Sequence, residues 1–309
     1  MTPLHAQVIS LASWNADLCS TLSTPLLKGH TVAATDFRVR PGGKGSNAAV
    51  ACARQGASTA VLSCIGQDNF GEMALDLWRR EGILTEHVTR TNRHPSGVAQ
   101  ILIYPDGDNS IAVTPGANQL LSPELVKQAQ ACLMQARVVM ATCEVPQAAI
   151  SAAFSVAQDH GVTTLLNPAP ALPLSDSLLA QCDVLTPNEH ELRNLAQVQP
   201  DTPLAAAAAV MMARGVRALI VTQGAQGCTL FRPDSPATHI SGVPIDSLVD
   251  TIGAGDTFTG TLAARLALGD SLPEALNWAN AAAALSVRSA GAIDGMPGHA
   301  DTRVALKRV

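Results

Sequence analysis

Aromatic residues are scarce in this chain, at 3% of its 309 residues. Its core must therefore be aliphatic, in keeping with the 47% of residues that are hydrophobic. Few rings are available to stack on a nucleobase, and this disfavours nucleic acids and nucleosides as ligands. The net charge is −5 and the basic residues form no stripe, so any anionic substrate must be held by local groups such as backbone amides.

Cysteine motifs and long apolar runs are missing as well. The seven cysteines are scattered and form no Cys-x-x-Cys pair, so neither a disulfide framework nor a zinc site is expected. No apolar run reaches membrane-spanning length, and the segment from Met1 to Ser10 lacks the pattern of a secretory leader. The sequence therefore predicts a cytoplasmic protein without a membrane partner.

Strand-like and helix-like segments alternate along most of the chain. This order predicts an α/β domain with a mostly parallel sheet that is covered by helices on both faces. The expected strands are 8–13, 60–65, 138–141, 163–166, 184–186 and 218–222, and the expected helices are 46–55, 70–80, 147–158, 204–214 and 275–287.

Two segments break this rhythm. Residues 31–40 alternate between apolar and charged side chains, and residues 98–114 are typical of a hairpin. We expect the segments 18–40 and 96–114 to form a small β-sheet lid, inserted twice into a single domain that spans 1–309. Such a lid would lie over the carboxyl ends of the main strands, where ligands bind in α/β sheets.

The lid would carry exposed strand edges and an apolar face, with Phe37, Val98 and Ile101 as candidates. Exposed edges tend to be paired or covered, and a twofold contact is the commonest solution. The sequence therefore predicts a homodimer that is joined through the lids.

The most informative motif is the stretch from Asp250 to Phe258, Asp-Thr-Ile-Gly-Ala-Gly-Asp-Thr-Phe, which predicts a glycine-rich turn that enters a helix. The first N–H groups of a helix have no internal partner and attract anions, so Gly253, Ala254 and Gly255 could form an anion hole. Asp256 could then act as the base on an attacking hydroxyl. An ordinary helix cap is the alternative interpretation of the motif by itself.

A second glycine-rich loop covers residues 41–47, Pro-Gly-Gly-Lys-Gly-Ser-Asn, and also precedes a helix. It is not a Walker A loop, because Gly45 follows the lysine, and no dinucleotide fingerprint follows the first strand. The loop and the Asn47 amide could approach a ligand with several hydroxyl groups, although a flexible turn that caps the helix is the simpler alternative.

Polar side chains follow several predicted strands, and five of them should meet at the carboxyl edge of the sheet. Each alone could be a cap or a surface residue, but their convergence favours a binding site. These residues are Asn15, Asp17, Glu144, Asn188 and Glu191.

Taken together, the motifs resemble the ribokinase family of ATP-dependent sugar kinases, the PfkB carbohydrate kinases. The two glycine-rich loops carry most of the resemblance, and Asn167-Pro168-Ala169-Pro170 and Thr186-Pro187-Asn188-Glu189 add to it. The resemblance spans about residues 15–295 and implies a ribokinase-like three-layer sandwich with a β lid. It also implies ATP, Mg²⁺ and an activating monovalent cation, usually K⁺.

The resemblance implies a role for each matching position. The sugar would be held by Asn15, Asp17, Gly43, Lys44, Gly45, Ser46, Asn47, Glu144 and Asp256. Asn188 and Glu191 would face the phosphates and the hydrated magnesium, and Thr222, Gly224, Gly227, Gly255 and Asn280 would line the nucleotide site. The monovalent cation would be held at Asp250, Ile252, Ser286, Ser289, Gly291 and Gly295, mostly through backbone carbonyls.

Three positions depart from the family pattern. Trp14 replaces a small or aliphatic residue, Ser46 replaces an alanine, and Asp294-Gly295 replaces a Pro-Ser pair. The resemblance implies phosphoryl transfer from ATP to the 5-hydroxyl of a furanose, ribose above all. Deoxyribose, another sugar or a nucleoside remains an alternative, as does a catalytically silent sensor of a sugar or nucleotide. A dehydrogenase is disfavoured by the missing fingerprint.

Overall fold

The computed structural model of the protein describes residues 5–307, so the first four residues of the segment Met1–Ser10 lie outside it. Its strands are β1 Val8–Leu11, β2 Asn15–Leu22, β3 Ala34–Gly42, β4 Thr59–Gly66, β5 Leu84–Thr91, β6 Gly97–Ile103, β7 Asn109–Thr114, β8 Val138–Thr142, β9 Thr163–Asn167, β10 Val184–Leu185, β11 Ala218–Thr222, β12 Gly227–Phe231 and β13 Thr238–Ser241. Its α-helices are α1 Lys44–Arg54, α2 Asn69–Arg80, α3 Pro123–Gln128, α4 Gln130–Leu133, α5 Gln147–Asp159, α6 Asp176–Ala180, α7 Glu189–Ala196, α8 Leu204–Ala213, α9 Ala254–Leu268, α10 Leu272–Ser286 and α11 His299–Leu306.

The central sheet has the strand order β13-β12-β11-β10-β9-β8-β1-β4-β5. It is parallel from β5 to β11, whereas β12 and β13 are antiparallel additions at one edge. Every residue of β1, β4 and β8 is buried, as expected for strands covered on both faces. The expected alternation of strands and helices is confirmed, although the sequence analysis did not anticipate β5, β12 and β13.

The two faces of the central sheet carry separate apolar clusters. One cluster joins the sheet to α3 and α5–α8, and the other joins it to α1, α2, α9 and α10. The expected three layers, helices–sheet–helices, are therefore present. Among residues 5–307 no helix is both long enough and apolar enough to cross a bilayer.

The second sheet is the lid, with the strand order β3-β2-β6-β7. The expected hairpin is β6 and β7, which pair in antiparallel fashion, whereas β2 and β6 pair in parallel. Since strand partners share a face, the register places Ile101 with Cys19 and places Phe37 with Ser20 on the opposite face. The expectation that Ile101 and Phe37 share one apolar face is therefore wrong, because their partners Cys19 and Ser20 are consecutive on β2 and so point to opposite faces of the lid.

Helices α1 and α9 pack very closely, and this contact positions the functional loops. A Cβ at Gly260 in α9 would overlap the carbonyl oxygen of Ala48 in α1. The missing side chain lets the two backbones approach, so the loops before the two helices, 41–43 and 250–253, lie side by side.

We expect Gly260→Ala to lower the free energy of unfolding by about 1–3 kcal/mol, because the new methyl group must push α1 away from α9. Urea titration followed by circular dichroism measures the change. Gly255→Ala in the first turn of α9 is the stability control, because a Cβ there meets no atom within 4 Å. Equal stability of the Gly260 variant and the wild type would contradict the proposed close contact.

Candidate active site

The two glycine-rich loops meet at one hydrogen bond between α1 and α9. Asn47 Nδ2 donates to Asp256 Oδ2 over 2.8 Å, and both side chains are buried, at 5% and 7% exposure. No side chain caps the N-terminus of α9, and a Cβ at Gly255 would meet no atom within 4 Å. The helix terminus therefore faces open space beside a carboxylate whose orientation is fixed by Asn47.

Asn47 has a second polar atom that lacks a partner. Its Oδ1 is buried and accepts no hydrogen bond within the described part of the chain. A buried acceptor without a donor is costly, so this atom is suited to a ligand that carries a hydroxyl group.

Glu144 is anchored to the first glycine-rich loop. Its Oε2 accepts the hydroxyl of Ser13 over 2.6 Å and the backbone N–H of Lys44 over 2.8 Å. The Ser13 oxygen in turn accepts the N–H of Gly45 over 3.1 Å. Burial raises the pKa of Glu144, and these hydrogen bonds oppose the rise.

Asp17 lies on lid strand β2 and faces the same space. Burial raises its pKa to about 7, and the neighbouring charges of Glu144 and Asp256 add to the rise. A Cβ at Gly42 would overlap the Asp17 carboxylate, so the glycine makes room for it. The carboxyl group therefore changes its charge close to neutral pH.

Lys44 balances this negative charge. The pKa of its ammonium group is raised chiefly by Asp256, with smaller contributions from Glu144, Glu191 and Asp17, while burial lowers it. The side chain is only partly accessible and is not the freely solvated surface lysine that is the commoner case for this residue type.

Asn15 is the first residue of β2, and its side chain is hydrogen-bonded to Asn118. Its Oδ1 accepts a hydrogen bond from Asn118 Nδ2 over 3.0 Å. The sequence analysis missed Asn118 and Ser13, because each acts through a partner more than 100 residues away in the chain. The only local signal is that Asn118 follows the turn glycine Gly116 directly after the hairpin.

The residues proposed to hold the monovalent cation are brought together in two loops. Asp250 accepts the N–H groups of Ile252 over 2.9 Å and of Gly291 over 2.8 Å, so its carboxylate joins the two loops. A Cβ at Gly295 would overlap the carbonyl oxygen of Ser286 and would lie 3.4 Å from Cβ of Ser289. The loops thus pack against backbone groups, and backbone carbonyl oxygens are the ligands that a K⁺ site uses.

The residues expected at the phosphates form the start of α7. Glu191 N–H donates to Asn188 Oδ1 over 2.8 Å, and Asn188 N–H donates to Glu191 Oε2 over 2.9 Å. This is a capping box, so the simpler interpretation of these two residues holds as well. Glu191 is nevertheless near the site, because Lys44 and Asp256 both influence its pKa, which burial raises.

Of the residues expected at the nucleotide site, Asn280 and Gly227 contact β13. Asn280 Nδ2 donates to the carbonyl oxygens of Ile240 and Ser241 over 3.3 and 3.4 Å. Gly227 has φ of 98°, and a Cβ there would overlap the Ile240 oxygen. Thr222 N–H donates to Pro187 over 3.0 Å and so places this edge beside α7, and Gly224 follows in the turn before β12.

Ser46 is used for packing. Its hydroxyl accepts the indole N–H of Trp78 over 2.9 Å and is fully buried. Trp78 contacts Trp14 edge to face, with ring centroids 5.8 Å apart. Trp14 is therefore turned into the core, away from Asn15, and neither it nor the Ser46 side chain reaches the cleft.

The cleft between lid and body has a volume of about 270 Å³, just below the usual range of about 300–1,000 Å³ for ligand pockets. It is lined by Asp17, Cys19, Ile101, Asp250 and Ile252, among others. Arg40, which sequence analysis did not single out, extends from β3 to Gly291 across this cleft. The cleft is thus small, and its lining comes from the lid strands β2, β3 and β6 and from the loop segments 250–252 and 290–294.

Comparison with known proteins identifies the family. A model of the pfkB family of carbohydrate kinases matches residues 6–298. The chain belongs to this family. The kinase is 35% identical to the ribokinase of Haemophilus influenzae over 294 residues, which are 94% of this chain and 95% of the relative.

Two further proteins are similar to this kinase over most of its length. A deoxyribokinase of Salmonella typhi is 34% identical over 273 residues, which are 87% of this kinase and 89% of that protein. The structure of Arabidopsis thaliana ribokinase complexed with ribose and ATP superposes with a TM-score of 0.93 at 30% identity and covers 98% and 99% of the two chains. The resemblance and the fold class inferred from the sequence are both confirmed.

The pKa of Asp17 predicts a pH dependence. We expect kcat/KM for the acceptor to rise between about pH 6 and pH 8, because the ionised carboxylate is the better hydrogen-bond acceptor. Initial rates at saturating ATP across this range measure the effect. Asp17→Asn should remove the step near pH 7, and an unchanged step in that variant would contradict the assignment.

The same shift affects stability. Because folding raises the pKa of Asp17, the protonated carboxyl stabilises the fold below about pH 4, and this contribution is lost as the pH rises through about 7. Asp17→Asn should therefore gain stability relative to the wild type as the pH increases from 5 to 8.

Proposed function

We propose that the protein transfers the γ-phosphoryl group of ATP to the 5-hydroxyl of ribose. The observation that carries the proposal is the hydrogen bond between Asn47 and Asp256, because it orients a buried carboxylate in the first turn of α9, whose N-terminus no side chain caps. The similarity to ribokinases over nearly the whole chain supports ribose as the acceptor.

In the proposed reaction Asp256 Oδ1 accepts the proton of the sugar hydroxyl, since Oδ2 is held by Asn47. The sugar oxygen then forms a bond to the γ-phosphorus, and the bond between that phosphorus and the β–γ bridging oxygen breaks, releasing ADP. The N–H groups of Gly253 and Gly255 would bind the developing negative charge, which the helix dipole stabilises. The third expected donor, Ala254 N–H, donates to the carbonyl oxygen of Thr251 over 3.2 Å and would have to leave it to take part. Positioning and electrostatics supply most of the rate enhancement.

Acceptor preference tests the proposed function. Ribose should exceed 2-deoxyribose, adenosine and inosine in kcat/KM, because a hydroxyl-binding site rejects analogues that leave its buried polar groups unpaired. The structure adds that Trp14 is buried and offers no stacking surface for a base. A coupled ADP-release assay with a panel of sugars and nucleosides measures the preference, and a nucleoside that exceeds every free sugar would overturn it.

We expect Asp256→Asn to keep the fold and ATP binding but to lose about 10²–10⁴ in turnover, the range for a positioned general base. Single-turnover rates with ribose and ATP measure the loss, and thermal unfolding checks the fold. Asp159→Asn, an exposed carboxylate at the end of α5, is the control for the chemical change. Turnover near the wild-type value in the Asp256 variant would remove it from the mechanism.

We further propose activation by K⁺ over Na⁺ or Li⁺. An ion between the 250–252 and 286–295 loops would fix the neighbouring anion hole, because a Cβ at Gly253 would lie 2.8 Å from Cα of Ala292 in the second loop. Within residues 5–307 no group of three His, Cys, Asp or Glu side chains could hold a metal. We therefore expect Mg²⁺ to bind together with the ATP phosphates. Equal rates with and without K⁺, in the presence of Mg²⁺, would count against the cation site.

The lid supports the proposal of a homodimer. Phe37 and Val39 are 58% and 42% exposed on the outer lid face, and both edge strands, β3 and β7, are largely exposed. Such edges are usually covered in native proteins. Light scattering that reports about the mass of one chain, 31.9 kDa, at micromolar concentration would refute the dimer.

A cytoplasmic location completes the proposal. The seven cysteines are all free. Burial raises the thiol pKa of Cys52, Cys143 and Cys228 to about 12 and also raises that of Cys182. Free thiols persist in reducing compartments. Cell fractionation with a cytoplasmic marker would test it, and recovery with exported proteins would contradict it.

A further inference from the structure

Asn118 joins the lid to the start of the acceptor site through a buried amide. It lies in the 3₁₀ helix Gly116–Leu120, directly after β7, and is 2% exposed. Its Oδ1 accepts the N–H of Trp14 over 2.9 Å, and its Nδ2 donates to Trp14 O over 2.9 Å and to Asn15 Oδ1 over 3.0 Å. All three bonds reach the same two residues more than 100 positions earlier.

These bonds determine which way both amides point. The backbone N–H of Trp14 can only donate and its carbonyl oxygen can only accept, so the oxygen and the nitrogen of Asn118 are each fixed by a backbone group. The Nδ2 of Asn118 can only donate, and hence the atom of Asn15 that faces it must be the oxygen. The Nδ2 of Asn15 therefore points away from Asn118.

The backbone at Gly97 restricts where the Asn15 side chain can lie. Asn15 is 3% exposed, and a Cβ at Gly97 would overlap Asn15 Oδ1 and lie 2.5 Å from Asn118 Nδ2. The two amides thus pack against bare backbone, so the Asn15 side chain is held in place and only the orientation of its amide, which Asn118 sets, remains to be fixed.

The direction of this amide matters because the other polar groups of the site are mainly acceptors. Asp17, Glu144 and Asp256 are carboxylates, and Asn47 offers its free Oδ1. A sugar hydroxyl both donates and accepts, so a site of acceptors needs a donor as well. Asn15 Nδ2 supplies a neutral donor, in addition to the charged ammonium group of Lys44.

We propose that Asn118 is a positioning residue for the acceptor sugar, which fixes Asn15 so that its Nδ2 donates to a sugar hydroxyl. The inference rests on the proposed function, because it takes Asn15 as a sugar-binding residue. Asn118 touches neither the sugar nor the phosphates and acts through Asn15.

Asn118→Asp tests the proposal with little change in size. The new carboxylate can still accept from Trp14 N–H but cannot donate to Asn15 Oδ1, so the Asn15 amide turns over and its donor leaves the site. We expect KM for ribose to rise about tenfold, the order expected for one lost hydrogen bond, with KM for ATP within about twofold of the wild type. An unchanged KM for ribose in the folded variant would overturn the proposal.

Gln55→Glu is the matched control. Gln55 is also a buried amide, 1% exposed, and donates to Pro297 O and Thr302 Oγ1, at the end of α1 remote from the Asn47 end. The same amide-to-acid change there should lower stability and leave KM for ribose unaltered. A similar rise in both variants would show a general loss of structure and overturn the specific role of Asn118.

A double-mutant cycle separates positioning from a purely structural role. In an Asn15→Ala background, Asn118→Asp should change KM for ribose by less than about twofold, since the group through which it acts is gone. Full additivity of the two changes would overturn the proposal. Wild-type turnover of ribose reports separately on the proposed function, so the two failures are distinguishable.

A measurement on the wild type covers the case in which Asn118→Asp does not fold. Side-chain amide signals of ¹⁵N-labelled protein can be assigned from their loss in Asn15→Asp and Asn118→Ser. Saturating ribose should shift the Asn15 amide signal, while the Asn118 amide hydrogens should exchange slowly with and without ribose. An Asn15 signal that ribose leaves unshifted would overturn the proposal.

Discussion

The contact between α1 and α9 is the constraint on which the rest of the site depends. Each helix begins at a glycine-rich loop, and the bare backbone at Gly260 against Ala48 sets how closely the two helices approach. Only at that spacing can Asn47 reach Asp256 from 209 positions earlier in the chain. The two glycine-rich loops are therefore held next to each other at the same end of one packed helix pair.

Charge balance is the second organising feature of the site. Three carboxylates, Asp17, Glu144 and Asp256, lie near one ammonium group, Lys44. Burial is the main cause of the raised pKa of Asp17 and Glu144, and the neighbouring carboxylates add to it. Burying carboxylates costs free energy, but a buried carboxylate is also a strong hydrogen-bond acceptor for hydroxyl groups. Because the pKa of Asp17 is raised to about 7, the charge of the site changes with pH near neutrality.

The sequence was sufficient for those parts of the molecule that depend on local order. Alternating strands and helices predicted the layers, and the turn chemistry around Gly43 and Gly253 predicted where the helices begin. Contacts between distant segments could not be predicted, because nothing near Ser13 or Asn118 in the chain indicates Glu144 or Asn15 as a partner. The short edge strands β12 and β13 were missed because the glycine turn at 224–227 gives no sign of the pairing that follows.

The placement of Asn15 and Asp17 on β2 has a consequence for whether a sugar or a water molecule can fill the proposed acceptor site. These two residues belong to the lid, whereas Asn47, Glu144 and Asp256 belong to the body. In the proposed reaction a sugar that hydrogen-bonds to both groups would tie the lid to the body. The hydroxyl pattern of the acceptor would then be matched by two separately folded sheets at once, which a water molecule is too small to do.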